Sequence, residues 1–286
     1  GVLSSESGCD RALEAWIDEP VPVVLGGAFH ILARNLTDGL HRVRLRCSPG
    51  QEVSPAPGVA ILAAGVTDTG HRFVQADPAS VPLAAPADLP LLWTGRFDPA
   101  ALPAARFGWQ LSRLSGRFTG PRLVLSFSEV ADRNYFDVAV DGRSRVLELL
   151  AESPRTVAIA DDLGPGEHRI EVVKRSEGLF GSAVLAGLGL APGERWLEAP
   201  ARLPYRLEIY GDSITAGACN EDGAVDQYDT LAPHDPNLSY GAIAARRLGA
   251  EVVNLAVSGT GLTCSWNPIL MPDVWDRAAP DPSAPR

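Results

Sequence analysis

The side chains with the types and spacing for covalent chemistry lie in two short stretches. The first runs from Arg206 to Thr215, Arg-Leu-Glu-Ile-Tyr-Gly-Asp-Ser-Ile-Thr. Leu207 and Ile209, with the β-favouring Tyr210, predict a short strand. Gly211 and Asp212 then turn the chain and leave Ser213 at the strand's carboxyl end, where an open α/β sheet places its ligands. A serine hydroxyl held out of a sheet in this way can attack a carbonyl, and Asp212 beside it is placed to brace the turn by hydrogen bonding. The Gly-x-Ser-x-Gly elbow of the α/β-hydrolases is absent. The second stretch, Glu251 to Leu262, is an apolar run (Val252, Val253, Leu255, Val257) that ends in Ser258-Gly259-Thr260-Gly261. A backbone N–H near Gly259 is expected to face the oxygen that gains charge when Ser213 attacks.

The elements between the two stretches must bring them together. Residues 239–248, Ser-Tyr-Gly-Ala-Ile-Ala-Ala-Arg-Arg-Leu, predict a helix, with Asn237 or Ser239 as its cap and Gly249 at its end. Strand, helix and strand make a parallel βαβ unit with a right-handed crossover, so both loops open on one edge of the sheet.

Gly-Asp-Ser-Ile-Thr followed by Asn-Leu-Ala-Val-Ser-Gly resembles the first two sequence blocks of the SGNH (GDSL-type) hydrolases. Residues 88–286 are similar to carbohydrate esterase family 2, in which a small β-sandwich precedes the SGNH domain. The likeness extends to Trp93-Thr-Gly-Arg-Phe, Arg106-Phe-Gly-Trp, Gly116-Arg-Phe-Thr-Gly, Asn134-Tyr-Phe-Asp-Val, Lys174-Arg-Ser-Glu-Gly and Met271-Pro-Asp-Val-Trp-Asp-Arg. This resemblance implies Ser213 as nucleophile, the Ser213 and Gly259 backbone N–H groups as the oxyanion hole, Gly211 and Asp212 as support for the turn, and an acetylated carbohydrate as substrate. The family's third block supplies an oxyanion Asn and its last a general-base His. The sequence contains no Gly-x-Asn-Asp, and its Asp-x-x-His spacings, Asp38–His41 and Asp68–His71, both precede Ser213 instead of following it. The α/β domain is therefore expected to be incomplete at its C-terminus, with the remainder on a separate or further stretch of polypeptide. An unpaired sheet edge beside the Val252–Val257 strand, or a second polypeptide packed against it, is expected.

The fold class expected is mixed: jelly-roll-like β-sandwich followed by an α/β, flavodoxin-like SGNH-type domain. The domains read as a partial sandwich-like repeat over 1–90, a β-sandwich over 91–197 and the N-terminal part of the SGNH domain over 204–286. The repeat rests on Leu36-Thr-Asp-Gly-Leu-His41-Arg42, which echoes Leu163-Gly-Pro-Gly-Glu-His168-Arg169, and on residues 58–66, which echo 181–189. Strands with turns at Gly116-Arg-Phe-Thr-Gly and Tyr135-Phe-Asp-Val-Ala-Val-Asp-Gly mark the second sandwich. Its Trp93, Trp109 and Phe118 read as core, with sugar binding as the alternative. The Pro-rich residues 198–204 read as a linker.

Of 286 residues 45% are hydrophobic and 21% charged, a composition that fits globular domains, and no apolar run reaches the roughly 18 residues of a membrane span. The net charge of −10 argues against nucleic acid and anionic membrane as partners. No Cys-x-x-Cys or His-x-x-x-His spacing suggests a metal, and the chemistry needs no cofactor. Cys219 and Cys264 each follow one of the two loops, and either a disulfide across the site's rim or two thiols fits the spacing; Cys9 and Cys47 pose the same choice. His234 is the histidine nearest Ser213 in sequence, but it sits in no base motif. Two other functions stay open at this level: an SGNH-type O-acyltransferase with a sugar or alcohol acceptor, and a carbohydrate-binding protein with a decayed SGNH domain. A secreted or periplasmic location is expected for the esterase.

Overall fold

The computed structural model describes residues 81–151, 155–222 and 228–286, together with the strands β1 (Leu13–Ile17), β2 (Val23–Leu25), β3 (Val43–Cys47) and β4 (Val74–Gln75). The chain divides into a unit of residues 1–72 and a unit of residues 73–286. In the first, β1 is the centre of an antiparallel three-stranded sheet, with Leu13 opposite both Leu25 and Cys47. The sequence echoes at 36–42 and 58–66 lie outside the described residues.

The second unit is mostly β-sheet with few helices. It contains β5 (Leu83–Ala84), β6 (Leu92–Thr94), β7 (Ala105–Phe107), β8 (Arg113–Thr119), β9 (Leu123–Val130), β10 (Asn134–Val140), β11 (Arg143–Leu149), β12 (Thr156–Ala160), β13 (Glu167–Lys174) and β14 (Ala183–Leu190). One antiparallel sheet has the order β11-β10-β13-β8-β6; the other has β4-β12-β9-β14-β5, with β7 also on β14. Alternation along these strands turns Phe107, Leu114, Phe118, Leu125, Phe136, Val138, Ile170 and Leu185 into one core between the sheets. Trp93 packs against that core from its edge and Phe118 lies within it. Asp141 and Gly142 both take positive φ, 52° and 80°, and close the β10–β11 hairpin at the Asp-Gly turn, with Val140 opposite Arg143.

After the sandwich, β15 (Tyr205–Gly211), α1 (Ser213–Ala216), α2 (Tyr240–Leu248), β16 (Ala250–Ala256) and α3 (Met271–Val274) follow. β15 and β16 pair in parallel from Tyr205↔Ala250 to Gly211↔Ala256, and α2 is the crossover between them. Ser239, not Asn237, caps α2 by accepting from the Ala242 N–H, and Gly249 ends it in the left-handed conformation. Ala242 and Ala245 pack on Ala250 and Val252, while Val253, Leu255 and Val257 turn the other way onto Trp109, Met271 and Val274. β16 is therefore buried on both faces, as its apolar run requires.

β15 and β16 form a two-stranded sheet, so β16 has no strand on its other side among the described residues, the unpaired edge expected from the sequence. The exposed surface lies on β15. Every residue of β16 is buried, whereas Tyr205 and Tyr210 on β15 are 66% and 40% exposed. The reason is the sandwich loop carrying Trp109, Gln110 and Leu111, whose side chains cover β16. The Pro-rich segment before β15 is tied down as well: Arg202 bonds Glu251 at 2.9 Å and the Trp93 carbonyl at 3.0 Å.

Candidate active site

The first turn is built so that only glycine fits at its start. A Cβ on Gly211 would lie 2.0 Å from the Thr215 Oγ1, which is itself 2.9 Å from the Tyr240 hydroxyl. Asp212 caps α1, its Oδ1 accepting from the Ile214 N–H at 3.1 Å, so this carboxylate holds the turn. Ser213 opens α1 half-buried, beside the exposed Ile214. Gly217 closes the helix at φ 82°, against the backbone of Asp235 and Pro236, where a side chain would meet atoms at 2.5 Å.

The second turn lies at the neighbouring carboxyl end, since the parallel register puts Gly211 opposite Ala256. The Val257 N–H extends the ladder to the Gly211 carbonyl at 3.0 Å. Gly259 follows at φ 74°. Its neighbours' amides are occupied: Ser258 N–H by the Glu177 carboxylate, Thr260 N–H by the Val257 carbonyl at 3.1 Å and Gly261 N–H by the Ser265 hydroxyl at 2.9 Å. Among the described residues, no acceptor takes the Ser213 N–H or the Gly259 N–H, and no side chain bonds the Ser213 hydroxyl. Trp266 stands beside this turn, its N–H on the Gly259 carbonyl at 2.8 Å and its side chain 98% exposed.

His234 does not reach the serine. It is buried, its Nε2 donating to the Tyr228 carbonyl at 3.0 Å, with the Phe180 and Tyr228 rings around it. Burial lowers its pKa and keeps it neutral. His168 belongs to the sandwich, between Asp141 and the Gly164 carbonyl. No disulfide joins Cys219 to Cys264 across the rim, and the Cys219 Sγ lies 3.9 Å from the His234 Nε2.

Several residues that hold the site together come from far upstream and carry no catalytic motif. The Gln110 Nε2 donates to the Asn254 Oδ1 and to the Ala256 carbonyl, both at 2.9 Å, and its Oε1 accepts from the Gly178 N–H at 3.1 Å. Asn254 in turn donates to the Thr215 carbonyl at 2.7 Å, linking β16 to α1. A polar residue inside an otherwise apolar strand was the signal for this, since a buried amide must find partners. Arg175, 4% exposed, gathers Asp137 at 3.3 Å, Asp235 at 3.1 Å and Glu221. Burial, with the neighbouring carboxylates, raises the Asp137 pKa to about 6 against the pull of Arg175. Lys174, the sole lysine, is completely buried, and its Nζ donates to the Ser176 carbonyl at 2.7 Å and the Ser176 hydroxyl at 3.0 Å. Burial lowers its pKa to about 7 although Glu177 opposes the shift. Lys174-Arg-Ser-Glu-Gly thus joins the sandwich to the serine-bearing segment.

Fold and site together define a two-sheet β-sandwich joined to a parallel βαβ segment that presents a serine turn and a glycine turn side by side. Residues 93–200 match the family described as "Carbohydrate esterase 2 N-terminal". The chain is 30% identical over 187 residues to "Cellulase/esterase CelE" of Acetivibrio thermocellus, covering 65% of this chain and 23% of that protein. It is 30% identical over 168 residues to an "Acetylxylan esterase / glucomannan deacetylase" of Cellvibrio japonicus, covering 56% of this chain and 44% of that protein. A solved family two carbohydrate esterase from Clostridium thermocellum, in complex with cellohexaose, superposes with a TM-score of 0.61 at 28% identity, over 66% of this chain and 59% of that one. The chain is a relative of carbohydrate esterase family 2. It spans less than half the length of each of these two curated relatives.

Proposed function

We propose that the protein removes acetyl groups from carbohydrate as a serine ester hydrolase, with residues 204–286 contributing to an SGNH-type α/β domain. One observation carries this reading: among the described residues the backbone N–H groups of Ser213 and Gly259 have no acceptor at adjacent strand ends, while those of Ile214, Ser258, Thr260 and Gly261 are bonded. Such a pair suits the oxyanion of a tetrahedral intermediate. The Ser213 hydroxyl attacks the acetyl carbon and passes its proton to a histidine of the kind the family's last block supplies. That histidine protonates the departing sugar oxygen, and water then releases acetate from the acyl-enzyme. None of the described histidines bonds Ser213, so the base comes from outside the described residues. The relatives named as acetylxylan esterase and glucomannan deacetylase support a polysaccharide substrate, and the exposed Trp266 indole offers a face for a sugar ring. A polymeric substrate of this kind supports a secreted or periplasmic location.

The test is Ser213→Ala in the full-length protein, assayed by acetate release from acetylated xylan and from 4-nitrophenyl acetate. Turnover should fall by at least about a thousandfold with the circular dichroism spectrum unchanged. Near-wild-type acetate release would remove Ser213 as nucleophile.

A further inference from the structure

We infer that Glu177 is a positioning residue of the acyl-transfer site, by which the β-sandwich sets the direction of the Gly259 N–H. The inference rests on the reading of that N–H as an oxyanion donor. The peptide unit joining Ser258 to Gly259 carries that N–H on one side and the Ser258 carbonyl on the other. The carbonyl is held by the Asn267 Nδ2 at 2.7 Å. The residue before the peptide is held by Glu177, whose Oε1 accepts from the Ser258 N–H and whose Oε2 accepts from the Ser258 hydroxyl at 2.6 Å. With its N–H, hydroxyl and carbonyl all engaged, Ser258 has no freedom to rotate the following peptide plane.

The clamp is rigid because of where Glu177 stands. It is 1% exposed, on the connection between β13 and β14, 81 residues before Ser258. Its backbone is pinned in turn by the buried Lys174 ammonium, which bonds the Ser176 carbonyl and hydroxyl and approaches the Glu177 carbonyl at 3.5 Å. A buried carboxylate with both oxygens engaged on one residue has little reason to exist for stability alone, since burying the charge is unfavourable. Fixing a donor before charge develops on the substrate is what such rigidity achieves.

The experiment compares kcat and KM for 4-nitrophenyl acetate in the full-length protein carrying Glu177→Leu, Glu177→Gln, Ser258→Ala and Ser213→Ala, each assayed where circular dichroism shows it folded. Glu177→Leu should lower kcat by about 10²–10³, the effect of losing one oxyanion donor, with KM changed by less than about threefold. Glu177→Gln should recover kcat to within about tenfold of wild type, because the amide can accept from the Ser258 N–H while donating to its hydroxyl. If Glu177→Leu does not fold, Ser258→Ala serves: it keeps the N–H bond, removes the hydroxyl bond, and should lower kcat by about tenfold at unchanged KM. A merely structural role would lower the thermal midpoint and leave kcat per folded molecule at its wild-type value in these variants, and that result overturns the inference while the Ser213 reading stands. Activity surviving in Ser213→Ala overturns the reading itself, and the inference with it.

Discussion

Asn254→Asp isolates the link between the two turns. The Asn254 amide is 1% exposed and donates to the Thr215 carbonyl at 2.7 Å while accepting from Gln110 at 2.9 Å. The substitution keeps the shape and the acceptor but turns the donor into an oxygen facing a carbonyl oxygen. Only the protonated carboxyl can restore the bond to Thr215, so its folded pKa must rise well above the unfolded value of about 3.9. Between those two values the folded state holds a proton that the unfolded state has released, so stability falls as pH rises. The slope is about 1.4 kcal/mol per pH unit, and a rise of two units or more costs about 3 kcal/mol at neutral pH. For a unit of this size that is about 6–12 °C in Tm. Thermal unfolding of wild type and variant, followed by circular dichroism from pH 4 to pH 8, should show nearly equal Tm at the acid end and a gap that widens with pH. A gap that is constant across the range, or a variant within about 1 °C of wild type at pH 7, would refute the assignment of this hydrogen bond.

Two further outcomes follow from the glycines and the sandwich histidine. Gly211→Ala and Gly259→Ala should differ in kind. The first drives a Cβ onto Thr215 and should cost about 1–3 kcal/mol in urea unfolding by overpacking, whereas the second meets nothing nearer than 3.4 Å and should cost about 1–2 kcal/mol through its φ of 74° alone. Equal stability of wild type and Gly211→Ala would contradict the packing described at the turn. At His168, burial disfavours the imidazolium, but the bonds to Asp141 and to the Gly164 carbonyl, with the Asp141 charge, raise its pKa overall. For Asp141, burial raises the pKa, yet the His168 and Arg169 bonds lower it overall. The His168 contribution is complete below its unfolded pKa of about 6.5 and is lost as pH rises through the raised folded value. The Asp141 contribution is complete above about 3.9 and is lost as pH falls through the lowered folded value. Because Asp141 is 44% exposed, Asp141→Asn should remove under about 1 kcal/mol, seen between pH 4 and 6.5 and shrinking above it; a loss that grows toward pH 9 would show the sign to be wrong.

What the sequence determined by itself is local. The serine turn after β15, the cap and stop of α2, the Asp-Gly hairpin of β10 and β11 and the doubly buried character of β16 all follow from neighbours within a few residues. Backbone conformation and hydrophobic periodicity act over that range. The tertiary structure alone decided which amides stay free and what fixes them. Glu177 meets Ser258 across 81 residues and Gln110 meets Asn254 across 144, and no local pattern marks either as part of the site. It also decided what covers β16. The Trp109–Leu111 loop, delivered by the sandwich, lies on β16 and leaves β15 open. A buried polar group must be bonded, but its sequence does not say by whom. That choice is made when the two parts of the molecule pack together.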